Sequence, residues 1–298
     1  MINLLLAVLF STGWFIIFRY FRTFKVDTFP AVVVNYWVCI LTGLLTFGWE
    51  NTIGRFETAS AWSVYAFGLG ILFISTFYLT AYSAQTIGVT LTSVSAKISL
   101  VLTVFANIFI LKSASKIFDI FNYLGIFLAI VAIVLSSIQP KTNENQEQKA
   151  VWWLPLLIFL LTATVDITVN SINAIFVKPE QSALFSILTF GSAAVVGFVI
   201  LSVQLILKQR KIGMKEFLGG VALGIPNFFS LFYLLKALEN FKNDGAFLFP
   251  IFNIAIILAS STCAVILFKE KLSKLNLLGL AIAILSIFLI AYQEIIKL

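Results

Sequence analysis

Ten long apolar runs, separated by short polar segments, account for almost the whole chain. At about 1.5 Å of rise per residue, a helix made from such a run can cross a hydrocarbon core about 30 Å thick. The pattern therefore predicts an all-α integral membrane protein with ten transmembrane helices. The predicted spans are Ile2–Phe18, Ala31–Gly48, Ala61–Ala84, Thr86–Leu111, Ile120–Ile138, Val151–Phe176, Ser182–Leu207, Phe217–Leu235, Gly245–Phe268 and Leu275–Gln293.

Composition supports this class. Hydrophobic residues make up 60% of the chain and charged residues only 11%, whereas a soluble domain is about half apolar and a quarter charged. Histidine is absent, and the two cysteines lie in separate apolar runs, so no ligand cluster for a zinc or redox metal is expected. The net charge of +7 is spread over short loops, which favours contact with a membrane surface over nucleic acid.

Two helical hairpins with short charged corners close the two parts of the chain. The first runs from Thr86 to Ser137 and the second from Gly245 to Tyr292. We predict a first repeat over residues 1–140 (helices 1–5), a polar linker over residues 141–150, and a second repeat over residues 151–298 (helices 6–10). Because five is odd, the second five-helix repeat is expected to be inverted relative to the first, as in many secondary carriers.

The second hairpin resembles a known family. The corner Lys269-Glu270-Lys271-Leu272-Ser273, followed by Gly279 and preceded by Gly245 to Phe249-Pro250, is similar to the repeat of the drug/metabolite transporter superfamily, EamA branch. In the first half, Ser93–Leu111 followed by Lys112 and Gly125 is similar but departs from the pattern. Ser113 stands where the pattern has Glu, and Thr103 stands about where a proline is often found.

The resemblance covers nearly all of the chain. It implies ten helices around a central substrate cavity, alternating access, and often the export of small metabolites such as amino acids. The shared residues are mainly structural, so the resemblance implies no particular substrate.

Two charges lie deep in the predicted spans. Of the 20 basic and 13 acidic residues, only Lys97 and Asp166 fall well inside them. A charge at that depth costs about 2.5–3.5 kcal/mol on insertion scales and is usually functional. We expect Lys97 to bind an anionic group, and Asp166 to bind an ammonium or to titrate with a proton gradient. A buried Lys97–Asp166 ion pair that only fixes helix register is the alternative.

Polar residues extend from each charge along one helix face. Thr90 and Ser93 precede Lys97 by seven and four residues, while Asn170 follows Asp166 by four. These stripes are expected to line the substrate and proton site.

Further candidates lie beside prolines or inside spans. Asn227 follows Pro226, and Asn253 follows Pro250 by three residues. Their side chains are expected either to contact substrate or to form hydrogen bonds between helices. Trp14 and Tyr78 lie inside spans and each carries a polar group, so they are the aromatic candidates for substrate contact.

The pattern as a whole favours a secondary transporter of a small polar metabolite in the cell (inner) membrane. An uncoupled exchanger of another solute class, and a membrane protein without transport activity, remain alternatives. An enzyme is disfavoured because no paired carboxylates or nucleophile and base arrangement occur near the spans. No cofactor is expected. The expected partners are the lipid bilayer, a small-molecule substrate and protons, with the chain acting as a monomer or homodimer.

Overall fold

The computed structural model describes residues 2–50, 52, 62–103, 119–137, 153–177, 181–241 and 245–295. This part of the chain folds into α-helices and contains no β-strand. We number the helices in chain order. They are α1 (Ile2–Phe24), α2 (Thr28–Phe47), α3 (Trp62–Thr86), α4 (Val89–Ile98), α5 (Ile120–Ser137), α6 (Trp153–Phe176), α7 (Ser182–Ile206), α8 (Met214–Asn240), α9 (Gly245–Phe268) and α10 (Lys274–Ile295).

Six helices within the described residues are long and apolar enough to cross a membrane. They lie in α1, α2, α3, α7, α8 and, over Ile251–Phe268, α9. The other four described helices contain shorter apolar stretches. Large apolar side chains such as Leu45 and Val64 are exposed on these helices, as expected where lipid replaces water as the solvent. The all-helical fold with several apolar helices indicates a multi-pass membrane protein.

The described helices form two compact units, and each draws on both halves of the sequence. The first unit comprises Met1–Gln85 and Thr168–Asn243, and the second comprises Thr86–Ile167 and Asp244–Leu298. In the first unit α8 packs against α1 and α2, and α2 also packs against α7. In the second unit α5 packs against α10, and α4 packs against α9. The division into two sequence repeats stays a prediction.

Small residues let α2 and α8 approach closely in the first unit. A Cβ atom at Gly220 would lie 2.5 Å from Val34, and one at Gly224 would lie 2.6 Å from Val38. Any larger side chain at either position would force the helices apart. Two glycines four residues apart on one helix are typical of such close helix contacts.

The core of the second unit is built from aliphatic side chains of five helices. Ile98 from α4, Ile257 from α9 and Ile287 from α10 are fully buried, together with Ala132 from α5. Phe159 from α6 completes the cluster. This core fixes α4 and α6, the helices that carry Lys97 and Asp166.

Helices α5 and α10 begin with the same reciprocal cap. In α5 the Asp119 carboxylate accepts from the Asn122 N–H at 3.2 Å, while the Asn122 side chain accepts from the Asp119 N–H at 3.1 Å. In α10 the Ser273 hydroxyl accepts from the Asn276 N–H at 3.1 Å, and Asn276 accepts from the Ser273 N–H at 3.2 Å. Each asparagine is followed three residues later by a glycine. Such caps satisfy the free N–H groups of a helix start.

Several helix boundaries differ from the predictions. Helix α1 continues past Arg19 to Phe24, because the Arg19 guanidinium donates to the Ala84 and Gln85 carbonyls at the end of α3, at 3.2 and 2.8 Å. Helix α8 extends from Met214 to Asn240 and contains Pro226 in its interior. The predicted span Thr86–Leu111 begins later, at Val89, and has an irregular turn at Ser99. The predicted linker, residues 141–150, and the first-half corner lie outside the described residues.

Candidate functional site

The start of α4 is held by a carboxylate from the corner between α9 and α10. Glu270 accepts from the Val89 N–H at 2.8 Å and from the Thr90 hydroxyl at 3.1 Å. Gly88, the N-cap, has φ 102° and ψ 163°, and a Cβ atom there would lie 2.8 Å from the Glu270 carboxylate. A carboxylate at this position satisfies helix N–H groups and complements the helix dipole. Thr90 thus contributes its polar atoms to this cap.

One turn further along, α4 is bonded to α9 by two serines. The Ser260 hydroxyl donates to Ser93 Oγ at 2.8 Å, and Ser93 donates to the Thr90 carbonyl at 3.0 Å. Both serines are fully buried. The polar face that the sequence predicted for α4 therefore lies against α9 at the level of Ser93.

Helix α4 has an irregular turn at Ser99, which we call the break in α4; the Ser99 backbone keeps helical angles (φ −50°, ψ −23°), and helical turns continue over residues 100–103. The Ser99 Oγ lies 2.5 Å from the Ala96 carbonyl, and serine bonded back to its own helix in this way bends helices. The Lys97 carbonyl accepts a 3.2 Å hydrogen bond from the side-chain amide of Asn253 on α9. This bond joins α9 to α4, as the interhelical alternative for Asn253 predicted.

The Lys97 side chain lies at this break. Its Nζ atom is 5.2 Å from the centre of the Phe252 ring, within the range of a cation–π interaction. Phe252 is buried, whereas Lys97 is half-buried. The ammonium therefore rests on an aromatic face.

The Asp166 carboxylate, from α6, approaches the same break. Its Oδ2 accepts from the Ser99 hydroxyl at 3.1 Å, and the residue is half-buried. Four residues earlier on α6, the Thr162 hydroxyl oxygen is buried and makes no hydrogen bond within the described structure. An unpaired buried hydroxyl costs about 1–3 kcal/mol, so such a group at a binding site is available to a ligand.

Lys97 and Asp166 attract each other electrostatically without forming a contact ion pair. Within the described residues, such pairs join Arg210 to Asp27 and Lys236 to Glu239. The two charges around the α4 break therefore remain separate groups, each only partly bonded. An ammonium and a carboxylate held in this way can bind the carboxylate and the ammonium of one zwitterion.

Four predicted site residues lie in the first unit, and two of them are aromatic. Trp14 stacks on Phe15 with ring centres 3.8 Å apart and contacts Phe77 at 5.1 Å. Tyr78 makes an edge contact with Phe29 at 5.6 Å. Trp14 is thereby part of an aromatic cluster in that unit.

Asn227 donates a 3.2 Å hydrogen bond to Asn35, and both side chains are buried. This bond joins α8 to α2, as the interhelical alternative predicted. Asn170 belongs to α6, and its side chain lies outside the described residues. No group of three or more potential metal ligands comes together in the described part of the chain.

Sequence reasoning missed Ser99 and Phe252. Neither residue is charged, and a serine or phenylalanine inside an apolar run carries no distinguishing signal. The position of Ser99, two residues after the only lysine deep in a predicted span, is the one clue in the sequence.

Comparisons with known proteins give the fold and a distant relative. No family model matches the chain. A protein of Haemophilus influenzae, described only as uncharacterized, is 26% identical over 306 residues, which cover 98% of this chain and 98% of the relative. A solved crystal structure aligns with a TM-score of 0.57 and 15% identity, covering 96% of this chain and 98% of its own. The fold is therefore similar to one already seen in a crystal.

Proposed function

We propose that the chain is a secondary transporter of the cell (inner) membrane. It moves a small polar metabolite, an amino acid or a similar zwitterion, by alternating access through a central cavity, in the direction of export. The observation that carries the proposal is the pair of half-buried opposite charges, Lys97 and Asp166, beside the irregular turn of α4 at Ser99. Broken helices at mid-span are where many carriers bind their substrates.

The roles of the site residues follow from their contacts. Lys97 takes the substrate carboxylate, while Asp166 takes the ammonium. Ser99 orients Asp166 through its hydroxyl, and Asn253 donates to the Lys97 carbonyl next to the irregular turn of α4.

Helix pairing supports an inverted repeat of five helices, and on this proposal the chain is a member of the drug/metabolite transporter superfamily. The second, fourth and fifth helices each pack against the helix five places later in the chain, as in α2 with α7, α4 with α9 and α5 with α10. The matching caps and following glycines of α5 and α10 point the same way. On this proposal all ten helices cross the membrane.

A counterflow assay in liposomes tests the proposal. A thermal-shift screen of amino acids, nucleosides, sugars and quaternary amines first selects a ligand, because binding to the folded state raises the melting temperature. Wild-type protein is then expected to exchange labelled ligand across the membrane. Each of Lys97→Ala and Asp166→Asn removes a charge-assisted contact, so we expect each to reduce exchange by at least about tenfold.

The matched control is Lys236→Ala, a lysine that pairs with Glu239, and it should keep wild-type exchange. Wild-type flux in both site variants would exclude the proposed site, and no exchange of any ligand by wild-type protein would argue against a carrier.

Asp166 is also the candidate proton carrier. An imposed pH gradient should then drive flux through the wild-type protein. The flux through Asp166→Asn should not respond to the gradient. Wild-type flux that ignores the gradient favours the uncoupled exchanger.

A further inference from the structure

An open groove of about 420 Å³ runs between α1 and α8 in the first unit. Ile17, Phe21 and Phe24 of α1 form one wall, and Leu218 and Ala222 of α8 form the other. The space exists because α8 presents small residues here. A longer side chain at Ala222 would occupy it.

The groove suits a hydrocarbon chain. Its walls are almost entirely apolar, and Phe24 and Leu218 at its rim are 60% and 57% exposed. An apolar groove of this kind offers no hydrogen bonds to a polar solute. It can hold a hydrocarbon chain without leaving any polar group unpaired.

One end of the groove is basic. Lys215 and Val26 line that end, and Lys25 precedes Val26 in the chain. The loop before α8 adds further cations at Lys208 and Lys211. Tyr20 also lines the groove, and tyrosine favours the depth of lipid headgroups.

The acidic groups at this end are already engaged. Asp27 forms an ion pair with Arg210. The two oxygens of Glu216, which is next to Lys215, accept from the Gly213 N–H at 2.8 Å and from the Asp27 N–H at 3.1 Å. Residues 25–27 and 208–216 together hold five basic and two acidic side chains, so this end of the groove carries net positive charge.

We propose that this groove binds an anionic phospholipid, with one acyl chain between α1 and α8 and the phosphate against Lys215. The apolar walls supply the fit for the chain, and the basic end selects the charge of the headgroup. The proposal does not depend on the transport function.

Native mass spectrometry of protein from mixed micelles tests it, with phosphatidylglycerol and phosphatidylcholine in equal amounts. Wild-type protein is expected to retain one phosphatidylglycerol in preference to phosphatidylcholine. Lys215→Gln should lower that preference by about fivefold, the factor that corresponds to about 1 kcal/mol for one lysine near an anionic headgroup. Ala222→Phe and Leu218→Trp each fill the groove from its α8 wall, at positions one turn apart, and each should abolish retention.

Ile225→Phe is the control, because Ile225 is exposed on α8 but does not line the groove. It should retain lipid as the wild type does. Melting temperatures show which variants are folded, and the two groove-filling variants provide independent tests. Equal retention of both lipids by the wild type, or unchanged retention in a folded groove-filling variant, would overturn the proposal. The proposal would also be overturned if inorganic phosphate displaced the lipid, or if the groove were found to be the interface of a dimer.

Discussion

Ser99 connects the carboxylate of Asp166 to the break in α4. Its oxygen lies within hydrogen-bond distance of both the Ala96 carbonyl and Asp166 Oδ2, but a hydroxyl carries only one proton. The serine therefore cannot donate fully to both acceptors. Asp166 is left with capacity to accept from a ligand, while its orientation is still fixed by the helix.

At this scale we predict that Ser99→Ala weakens ligand binding. The change removes a hydrogen bond to a charged group, so the affinity of the ligand found in the thermal-shift screen should fall by about tenfold. The measurement is the ligand dependence of the melting temperature. Ser95→Ala serves as the comparison, because Ser95 donates only to the Leu91 carbonyl of its own helix. Equal ligand affinity in Ser99→Ala and the wild type would remove Ser99 from the site.

The charged residues of the site could be predicted from the sequence, but their neighbours could not. Lys97 and Asp166 were conspicuous because a charge in an apolar span is costly. Thr90 was predicted to face substrate, yet its hydroxyl and N–H are bonded to Glu270, a carboxylate 180 residues away in the chain. Such a long-range partner has no local signal, since hydrophobic periodicity reports only the environment of a residue's own helix.

At the scale of single elements, α4 depends on residues outside itself for its start. Its N-cap is a glycine, which has no side chain to satisfy the first N–H groups of the helix, and Glu270 supplies that acceptor. The close approach of the carboxylate to Gly88 requires the absence of a Cβ atom. The backbone conformation at Gly88 is also one that only glycine adopts readily.

Two glycine substitutions should therefore shift stability in opposite directions. Gly88→Ala introduces both backbone strain and a clash with Glu270, and we expect a loss of about 1–3 kcal/mol. Gly68→Ala, in the interior of α3, meets nothing within 4 Å and should leave stability unchanged or raise it by up to about 1 kcal/mol. The melting temperature in detergent measures both effects. If both variants have the melting temperature of the wild type, the cap by Glu270 does not contribute to stability.

Most helices were predictable as elements because their apolar runs are long. The break in α4 was not, because Ser99 is compatible with a continuous helix and becomes a break only through its bonds to Ala96 and Asp166. The matching caps of α5 and α10 were visible in the sequence as an Asp or Ser followed by Asn and then Gly at three-residue intervals. Asparagine in place of the usual Glu or Gln obscured this cap signature.

For the whole molecule, the two compact units combine helices from both halves of the chain. Neither half supplies a unit by itself, so hydropathy along the sequence predicted the number of apolar runs but not this grouping. Pairing of α2 with α7, α4 with α9 and α5 with α10 depends on tertiary contacts. Such contacts arise from side-chain packing, which periodicity alone does not encode.

The proposed inverted ten-helix arrangement predicts on which side of the membrane each part of the chain lies. In a variant whose native cysteines are replaced, single cysteines from Ile2→Cys and Lys297→Cys should react with a membrane-impermeant maleimide from the same side. Asn145→Cys in the polar linker should react only from the other side, because five spans separate it from each end. Labelling of all three from one side would exclude two inverted halves of five spans.

The attachment of Glu270 to the first turn of α4 has a mechanical consequence. Two further bonds, from Ser260 to Ser93 and from Asn253 to the Lys97 carbonyl, fasten the same helix to α9 along its length. If α4 moved along its axis, either the α9–α10 corner would move with it or all three sets of hydrogen bonds would break. A spectroscopic reporter on the exposed Lys271 would consequently register displacement of α4 without any label near the charged residues.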